Sequence, residues 1–313
     1  MMSNFAIFLG SKAFGLNVLK SLIEKSPELR WQVICPNDLD DFRSAADKFK
    51  DFAESNNSIE SIYFMKPNED IECFIKKSNV RIGVVCGWYS ILAKEILEIP
   101  QFHFWGIHHS LLPKYRGFSP LVWSVINGDE HVGSTIFMIT PEMDAGDYVA
   151  QVRIQNHEGQ SISDIMLHVE EKILLELLNS WEALKTGKAT LHQQNKLEVT
   201  YAKKRREADG EINWNKPARE VHNFVRAQSK PYPGAYFKFQ EKVFRVYSSN
   251  ISDKSHDIEV GYIIGSRKDI IEISCGNGTV INLPLSSIES EDKSNLSELK
   301  VGLNLNSAKD RDD

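Results

Sequence analysis

The stretch Phe5-Ala-Ile-Phe-Leu9-Gly10, followed by Leu16, Leu19, Leu22 and Ile23 at helical spacing and then by Trp31-Gln-Val-Ile-Cys35-Pro36, decides the fold. A short, continuously apolar run closed by glycine reads as a buried strand. Leucines and isoleucine three and four residues apart read as one face of a helix. The second apolar run stops at Pro36, which has no N–H to give to a ladder. Strand, helix and strand in immediate succession form a crossover unit, the building block of a parallel sheet.

The same alternation continues outward from that unit. Residues Asp40–Glu54 read as a polar helix with Phe42, Ala45, Ala46, Phe49 and Phe52 as its inner stripe. Ile62–Met65 reads as a third strand, Asp70–Lys77 as a short helix, Arg81–Cys86 as a fourth buried strand, and Ala93–Leu97 as the start of another helix. Apolar strands alternating with helices imply a doubly wound, mostly parallel α/β sheet covered on both faces. Ligands of such sheets bind beyond the carboxyl ends of the strands, so Gly87-Trp88-Tyr89-Ser90 is a candidate pocket wall. Gly10-Ser-Lys-Ala-Phe-Gly15 lacks the spacing of a dinucleotide or phosphate loop and reads as a turn that lets a helix pack on the sheet.

Ser161–Leu184 is a long helix, with Ile165, Val169, Ile173, Leu177 and Trp181 on one side; His168 within it reads as a packed or surface residue. Gly187 and the polar stretch after it read as a linker. From Val199 the pattern changes. Pro217–Ala227 reads as a helix, and Pro231-Tyr-Pro233-Gly234 breaks the chain. Short β-like runs follow at Ala235–Phe239, Val243–Tyr247, Glu259–Ile264, Ile270–Ser274 and Thr279–Leu283, the pattern of a small β-barrel or sandwich. Ser290–Asp313 is charged and polar and reads as a partly disordered tail.

At 313 residues, 42% hydrophobic and 26% charged, the chain is long enough for one large or two modest globular domains. Its net charge of −6 runs against a nucleic-acid-binding surface, which must neutralise phosphates. The one basic run, Lys203-Lys204-Arg205-Arg206, is short, followed by Glu207 and Asp209, and reads as a solvated loop. The 4 cysteines form no Cys-x-x-Cys pair and no disulfide framework; Cys35 and Cys86 end apolar runs, where a buried thiol packs well. The start of the chain has no basic region before its short apolar run, and no stretch approaches the ~18 apolar residues of a membrane span. The expectation is a cytoplasmic protein without membrane contact.

Two runs carry the chemistry: Gly106-Ile-His108-His109-Ser110-Leu111-Leu112-Pro113-Lys114-Tyr115-Arg116-Gly117, and Ser134-Thr-Ile-Phe-Met138-Ile-Thr140-Pro141-Glu142-Met143-Asp144-Ala-Gly146-Asp147. The first sets a histidine beside a tight turn. The second sets an aspartate in a glycine-containing loop after an apolar strand. A carboxylate beside an imidazole favours its protonated form, which can stabilise a developing oxyanion and then supply a proton. From the residues alone a chance pair stays open. So does a metal set of His103, His108 or His109 with Glu142, Asp144 or Asp147, although neighbouring residues of an extended segment point to opposite faces. Ser110 is not in a nucleophile elbow.

Together these motifs resemble the tetrahydrofolate-dependent formyltransferases. The resemblance also takes in Val84-Val-Cys-Gly-Trp-Tyr-Ser-Ile-Leu-Ala-Lys-Glu-Ile-Leu97 and Pro120-Leu-Val-Trp-Ser-Val-Ile-Asn-Gly128. It continues through Asp209-Gly-Glu-Ile-Asn-Trp214 and the Lys230-Pro-Tyr-Pro-Gly-Ala235 run, and so spans residues 4–285. It implies a Rossmann-like catalytic domain over residues 1–190, a smaller β-rich, OB-like domain over 198–290, and a polar tail over 291–313. It implies N10-formyltetrahydrofolate as formyl donor, a primary amine as acceptor, and no metal. His108 would stabilise the tetrahedral oxyanion and pass a proton to the departing folate nitrogen, and Asp144 would tune His108 and help remove the amine proton. Ser90, Ile91 and Leu92, with Thr140, Pro141, Glu142 and Met143, would clasp the pterin, and Ser110, Leu111, Leu112 and Pro113 would line the same pocket.

The chain departs from the family at Gly106, where most members carry an asparagine whose amide is a second donor to the formyl oxygen. Loss of one such donor costs ~3 kcal/mol in the barrier. His109 and Asn127 are candidates to replace it. Phe118 likewise stands where some relatives carry a basic residue. The acidic balance, Trp88-Tyr89 and Trp123 favour the sugar branch of the family, hence a nucleotide-linked amino sugar as acceptor, for surface polysaccharide synthesis. The alternatives are methionyl-tRNA as acceptor and a folate-binding pseudoenzyme. A homodimer is a common assembly of such folds.

Overall fold

The structure, a computed structural model, describes residues 4–38, 41, 43–65, 71–75, 79–240, 242–290 and 293–306. The chain divides into two compact units. One takes the described residues within 1–120, 133–154 and 168–202; the other takes those within 121–132, 155–167 and 203–313.

The first unit is built on strands β1 (Phe5–Gly10), β2 (Arg30–Pro36), β3 (Ile59–Met65), β4 (Val80–Cys86) and β5 (Phe104–His108). A two-residue strand, β6 (Arg116–Gly117), precedes β7 (His131–Met138) and β8 (Tyr148–Gln155). The main sheet has the order β3-β2-β1-β4-β5-β7-β8, parallel from β3 to β5, with β7 antiparallel to β5. Side chains alternate between its faces. Ala6, Phe8, Val33, Cys35, Val84 and Cys86 enter one core, while Ile7, Leu9, Ile34 and Val85 enter the other. Both faces of β1, β2 and β4 are buried, and for this reason these strands read as nearly unbroken apolar runs. Helices α1 (Lys12–Lys25), α2 (Ala46–Ser55) and α3 (Lys94–Leu97) intervene; all of α4 (Pro120–Ile126) but Pro120 falls in the second unit, and α5 (Ile162–Leu184), after β8, begins there and continues in the first.

The Gly10–Gly15 segment is the expected packing turn. A Cβ on Gly10 would collide with the Cys86 carbonyl oxygen, and one on Gly15 would lie 3.0 Å from the same atom, so glycine lets α1 seat against β4. The helix expected over 40–54 begins only at Ala46. Before it, Asp41 and Ser44 close backbone turns, and Asp41 accepts hydrogen bonds from Lys12 and Arg43, a local use of the carboxylate that competes with the helix. Phe42 lies outside the described residues. So do Asp70, Lys76 and Lys77 of the helix expected over 70–77; of its described residues, Ile71–Cys73 form a single 3-10 turn.

The second unit is β-rich. The strand β9 (Tyr201–Ala202) still belongs to the first unit; in the second, α6 (Ala218–Ala227) is followed by β10 (Ala235–Phe239), β11 (Lys242–Val246), β12 (Asn250–Ser255), β13 (Ile263–Arg267), β14 (Ile270–Ser274), β15 (Thr279–Pro284) and β16 (Ile288–Glu289). They form two antiparallel sheets, β10-β11-β16 and β12-β15-β14-β13. The strand expected at 259–264 is displaced to Ile263–Arg267, because Gly261 has φ +84° and breaks the extended run. Leu299 and Leu305, from the stretch read as a polar tail, are buried in this unit's core; residues 291–292 and 307–313 lie outside the described residues. Among the described residues no helix is long and apolar enough to cross a membrane.

Candidate active site

β5 ends on His108, which pairs with Thr135 across the ladder to β7. The imidazole is buried, 8% exposed, with the Phe137 ring edge-on to it at 6.2 Å. Its Nε2 lies 2.8 Å from the Tyr115 carbonyl oxygen. A carbonyl only accepts, so Nε2 carries a proton and donates it there. The exchangeable position is therefore Nδ1, and it lies 3.6 Å from Asp144 Oδ2. That distance is just beyond a direct hydrogen bond and leaves the edge open to a third polar group.

The turn after His108 is held by buried hydroxyls. Ser134 donates to the His108 carbonyl at 3.0 Å and Thr135 to the Ser110 carbonyl at 2.6 Å, while Thr135 also accepts from the Leu112 N–H at 3.2 Å. Gln151 donates to the Leu112 carbonyl at 2.7 Å, and the Ser110 hydroxyl closes on the Lys114 carbonyl at 2.6 Å. Ser110, Leu112 and Pro113 are thus buried, with Leu111 partly so. Tyr115 has φ +58°, in the left-handed region, and its N–H donates to the Thr200 hydroxyl at 2.8 Å.

Asp144 is also left-handed, φ +49°, a conformation a short polar side chain tolerates best. Its Oδ2 accepts from the Gly117 N–H at 2.8 Å. A Cβ on Gly117 would sit 2.7 Å from the Ala202 carbonyl oxygen, so only glycine brings that N–H to the aspartate. Of the other residues expected around the pterin, Thr140 donates to the Glu142 carbonyl, and Pro141, Glu142 and Met143 are exposed. Ser90 and Ile91 are exposed after β4, next to β5 in the sheet, whereas Leu92 is buried in the core cluster against which Ile139 packs. Ile91 at 65% and Met143 at 38% exposure are large apolar side chains left uncovered in these loops.

The space beside Gly106 is filled. A Cβ there would lie 2.8 Å from Phe137 and closer still to the end of Ile139. His109 does not supply the missing donor: its ring packs on Phe14 at 5.4 Å, and its Nδ1 bonds the Ser134 hydroxyl at 3.1 Å. Burial, reinforced by the charge of His108, pushes its pKa down to about 4, so it is neutral near pH 7. Asn127 closes α4, its N–H donating to the Trp123 carbonyl. Among the described residues no group of three or more His, Cys, Asp or Glu is arranged to hold a metal ion.

Sequence reasoning missed Thr135, Gln151, Arg116, Gln194 and Thr200. Arg116 is buried, and its Nε and Nη2 donate to Gln194 Oε1 at 3.1 and 2.8 Å. β6 pairs with β9, so Thr200–Ala202, just after the stretch read as a linker, lie against the turn that carries the Tyr115 carbonyl.

The formyl transferase family profile matches residues 37–178, and the profile of the formyl transferase C-terminal domain matches residues 204–302. The methionyl-tRNA formyltransferase of Agathobacter rectalis is 32% identical over 281 residues, covering 88% of this chain and 89% of that protein. The chain belongs to the formyltransferase family. The methionyl-tRNA formyltransferase of Clostridioides difficile is 31% identical over 86% of this formyltransferase and 87% of its own length. Among solved structures, the sugar 3N-formyltransferase WlaRD covers 91% of this chain and 98% of its own, with TM-score 0.68 at 17% identity. An N-formyltransferase from Helicobacter canadensis, complexed with folinic acid and dTDP-3-aminofucose, has TM-score 0.66 at 18% identity, over 91% of this chain and 99% of its own. The two structural matches share the fold of this formyltransferase, a one-carbon transferase.

Proposed function

We propose that this formyltransferase moves the formyl group of N10-formyltetrahydrofolate to the primary amine of a nucleotide-linked amino sugar. The co-substrate supplies an activated one-carbon unit. The amine would attack the formyl carbon as His108 Nδ1, beside the Asp144 carboxylate, stabilises the oxyanion; the amine proton would pass to Asp144, and as the C–N10 bond breaks the His108 proton would go to the departing tetrahydrofolate nitrogen. Because Nε2 is anchored to the Tyr115 carbonyl, the ring cannot swing away, and proton traffic is confined to the edge shared with Asp144. Ile91 and Met143 cover the pterin.

The choice of acceptor draws on six cations of the second unit that are already paired. Lys216, Arg219, Lys230, Lys242, Arg245 and Lys254 each pair with a carboxylate, at 3.0, 3.2, 3.3, 2.7, 2.7 and 2.5 Å. Arg205 of the basic run lies over the Trp123 and Phe224 rings and donates to Gln228. Cations neutralised in place do not form the stripe that a polyanion such as tRNA needs. The ligands in the Helicobacter canadensis complex agree with the sugar reading. The identity to methionyl-tRNA formyltransferases favours a second reading, with charged initiator tRNA as acceptor.

Purified protein with formyl donor is to be assayed side by side on a panel of amino-sugar nucleotides and on methionyl-tRNA. Transfer to a sugar nucleotide, reduced about 10²–10⁴-fold by His108→Ala, is the expected result. Transfer to tRNA alone selects the second reading. Folate binding without turnover on any amine leaves a pseudoenzyme.

A further inference from the structure

We propose that Gln194 is a positioning residue, a latch that sets Asp144 beside His108; this rests on the reading of that pair as the site of formyl transfer. Gln194 lies between the two family profiles, in the stretch that reads as a polar linker. Its side chain is nonetheless buried, 8% exposed, and every polar atom of its amide is engaged. Oε1 accepts from Arg116 Nε at 3.1 Å and Nη2 at 2.8 Å. Nε2 donates to the carbonyls of Asp144 and Gly146, both at 2.8 Å. The orientation of the amide is forced, because a guanidinium only donates and a carbonyl only accepts.

The latch therefore joins two loops that share no secondary structure. On one side is the Tyr115–Gly117 run, whose Tyr115 carbonyl anchors His108 and whose Gly117 N–H anchors Asp144. On the other is the backbone of Asp144 itself, held at φ +49°. A left-handed aspartate persists where its surroundings over-determine it. Gln194 grips its carbonyl while Gly117 grips its carboxylate, so both ends of the residue are fixed against the same loop. Gln194 bonds the backbone of Asp144, not its carboxylate or the His108 ring, and so acts through Asp144.

The informative substitution is Gln194→Glu in the full chain. It keeps the size of the side chain and the acceptor for Arg116, but sets a carboxylate oxygen against two carbonyls in place of the donor. Misplacement of a catalytic group by about 1 Å costs about 10²-fold in rate. Gln194→Glu is expected to lower kcat by about that factor, with KM for the formyl donor changed less than about threefold. The His108 ring signals in NMR spectra at fixed pH should move towards those of Asp144→Asn. Gln194→Met, which removes both halves of the latch, should behave alike; if it fails to fold, Gln194→Glu decides alone.

Unchanged kcat and unmoved His108 signals in Gln194→Glu overturn the latch while leaving the transfer reading intact. Equal losses in KM and thermal stability with no movement of the His108 signals make Gln194 merely structural, and also overturn it. If His108→Ala keeps full transfer activity, the transfer reading fails instead, and the His108 signals then decide the latch without reference to rate.

Discussion

The loops around His108 and the outer surface of the C-terminal sheets both carry many polar groups, and they satisfy them in opposite ways. Around His108 the partners are buried and mostly backbone: the Tyr115, Ser110, Leu112, Asp144 and Gly146 carbonyls each receive a side-chain donor. On the C-terminal sheets the partners are other side chains, joined in ion pairs such as Arg245–Glu207, where the carboxylate is 77% exposed. A buried hydrogen bond that loses one partner leaves a desolvated group behind, at about 1–3 kcal/mol. An exposed pair that loses one partner leaves a group that water takes over. Geometry is held where breaking it is costly, and solubility is supplied where breaking it is cheap.

His109 is where pH should break the buried side of this comparison. Its ordinary pKa of 6.5 is pushed down to about 4 by burial. Between those values the unfolded chain binds the proton and the folded chain does not, so stability rises with pH across the window and is lost as pH falls through it. The contribution amounts to up to about 3 kcal/mol between pH 6.5 and 4. Urea unfolding at pH 7 and pH 4.5 should show it. His109→Phe, which keeps the contact with Phe14, should flatten that part of the slope. An unchanged pH dependence in the variant would mean that other groups carry the acid sensitivity.

Gly106 allows a test of packing in the same region. Gly106→Asn pushes a side chain into Phe137 and the end of Ile139, and overpacking of this kind costs about 1–3 kcal/mol. Ile139→Ala should relieve most of that cost, so the double variant should be more stable than the sum of the two single changes. Strict additivity in thermal melts would show that the space beside Gly106 is not shared with Ile139.

Much of this was legible in the sequence where one residue's type settles its surroundings. β10 and β14 lie where their β-branched and aromatic runs predict, and β1, β2 and β4 follow from apolar runs buried on both faces. β12, Asn-Ile-Ser-Asp-Lys-Ser, was not legible: it is mostly polar and is a strand because β15 pairs with it. His108 and Asp144 were visible as chemistry-bearing residues in a motif. Their support was not, because Gln194 reaches Arg116 across 78 positions and Asp144 across 50, and no local pattern records such a bond. The signal available was weak: a glutamine in a polar stretch. The polar composition of residues 188–200 resembles a solvated linker whether its side chains face water or buried carbonyls.

The smallest effects belong to the exposed pairs, and their smallness is what sharpens the choice of acceptor. Glu207→Gln and Glu289→Gln together release Arg245 and Lys230 from their partners. Exposed pairs are worth about 0–1 kcal/mol each, so thermal stability should move little, and transfer to an amino-sugar nucleotide should stay at the parent rate. Binding to RNA should change in the other direction. Each cation that newly meets a phosphate adds about 0.7–0.9 to the slope of log affinity against log salt, so the double variant should gain a weak, salt-sensitive RNA affinity that the parent lacks. If the parent already binds RNA with a steep salt slope, the paired cations are not neutralised in function, and the C-terminal surface is a nucleic-acid surface after all. The same titration that measures a surface effect of under about 1 kcal/mol thus decides between the two acceptors that fold and sequence identity leave side by side.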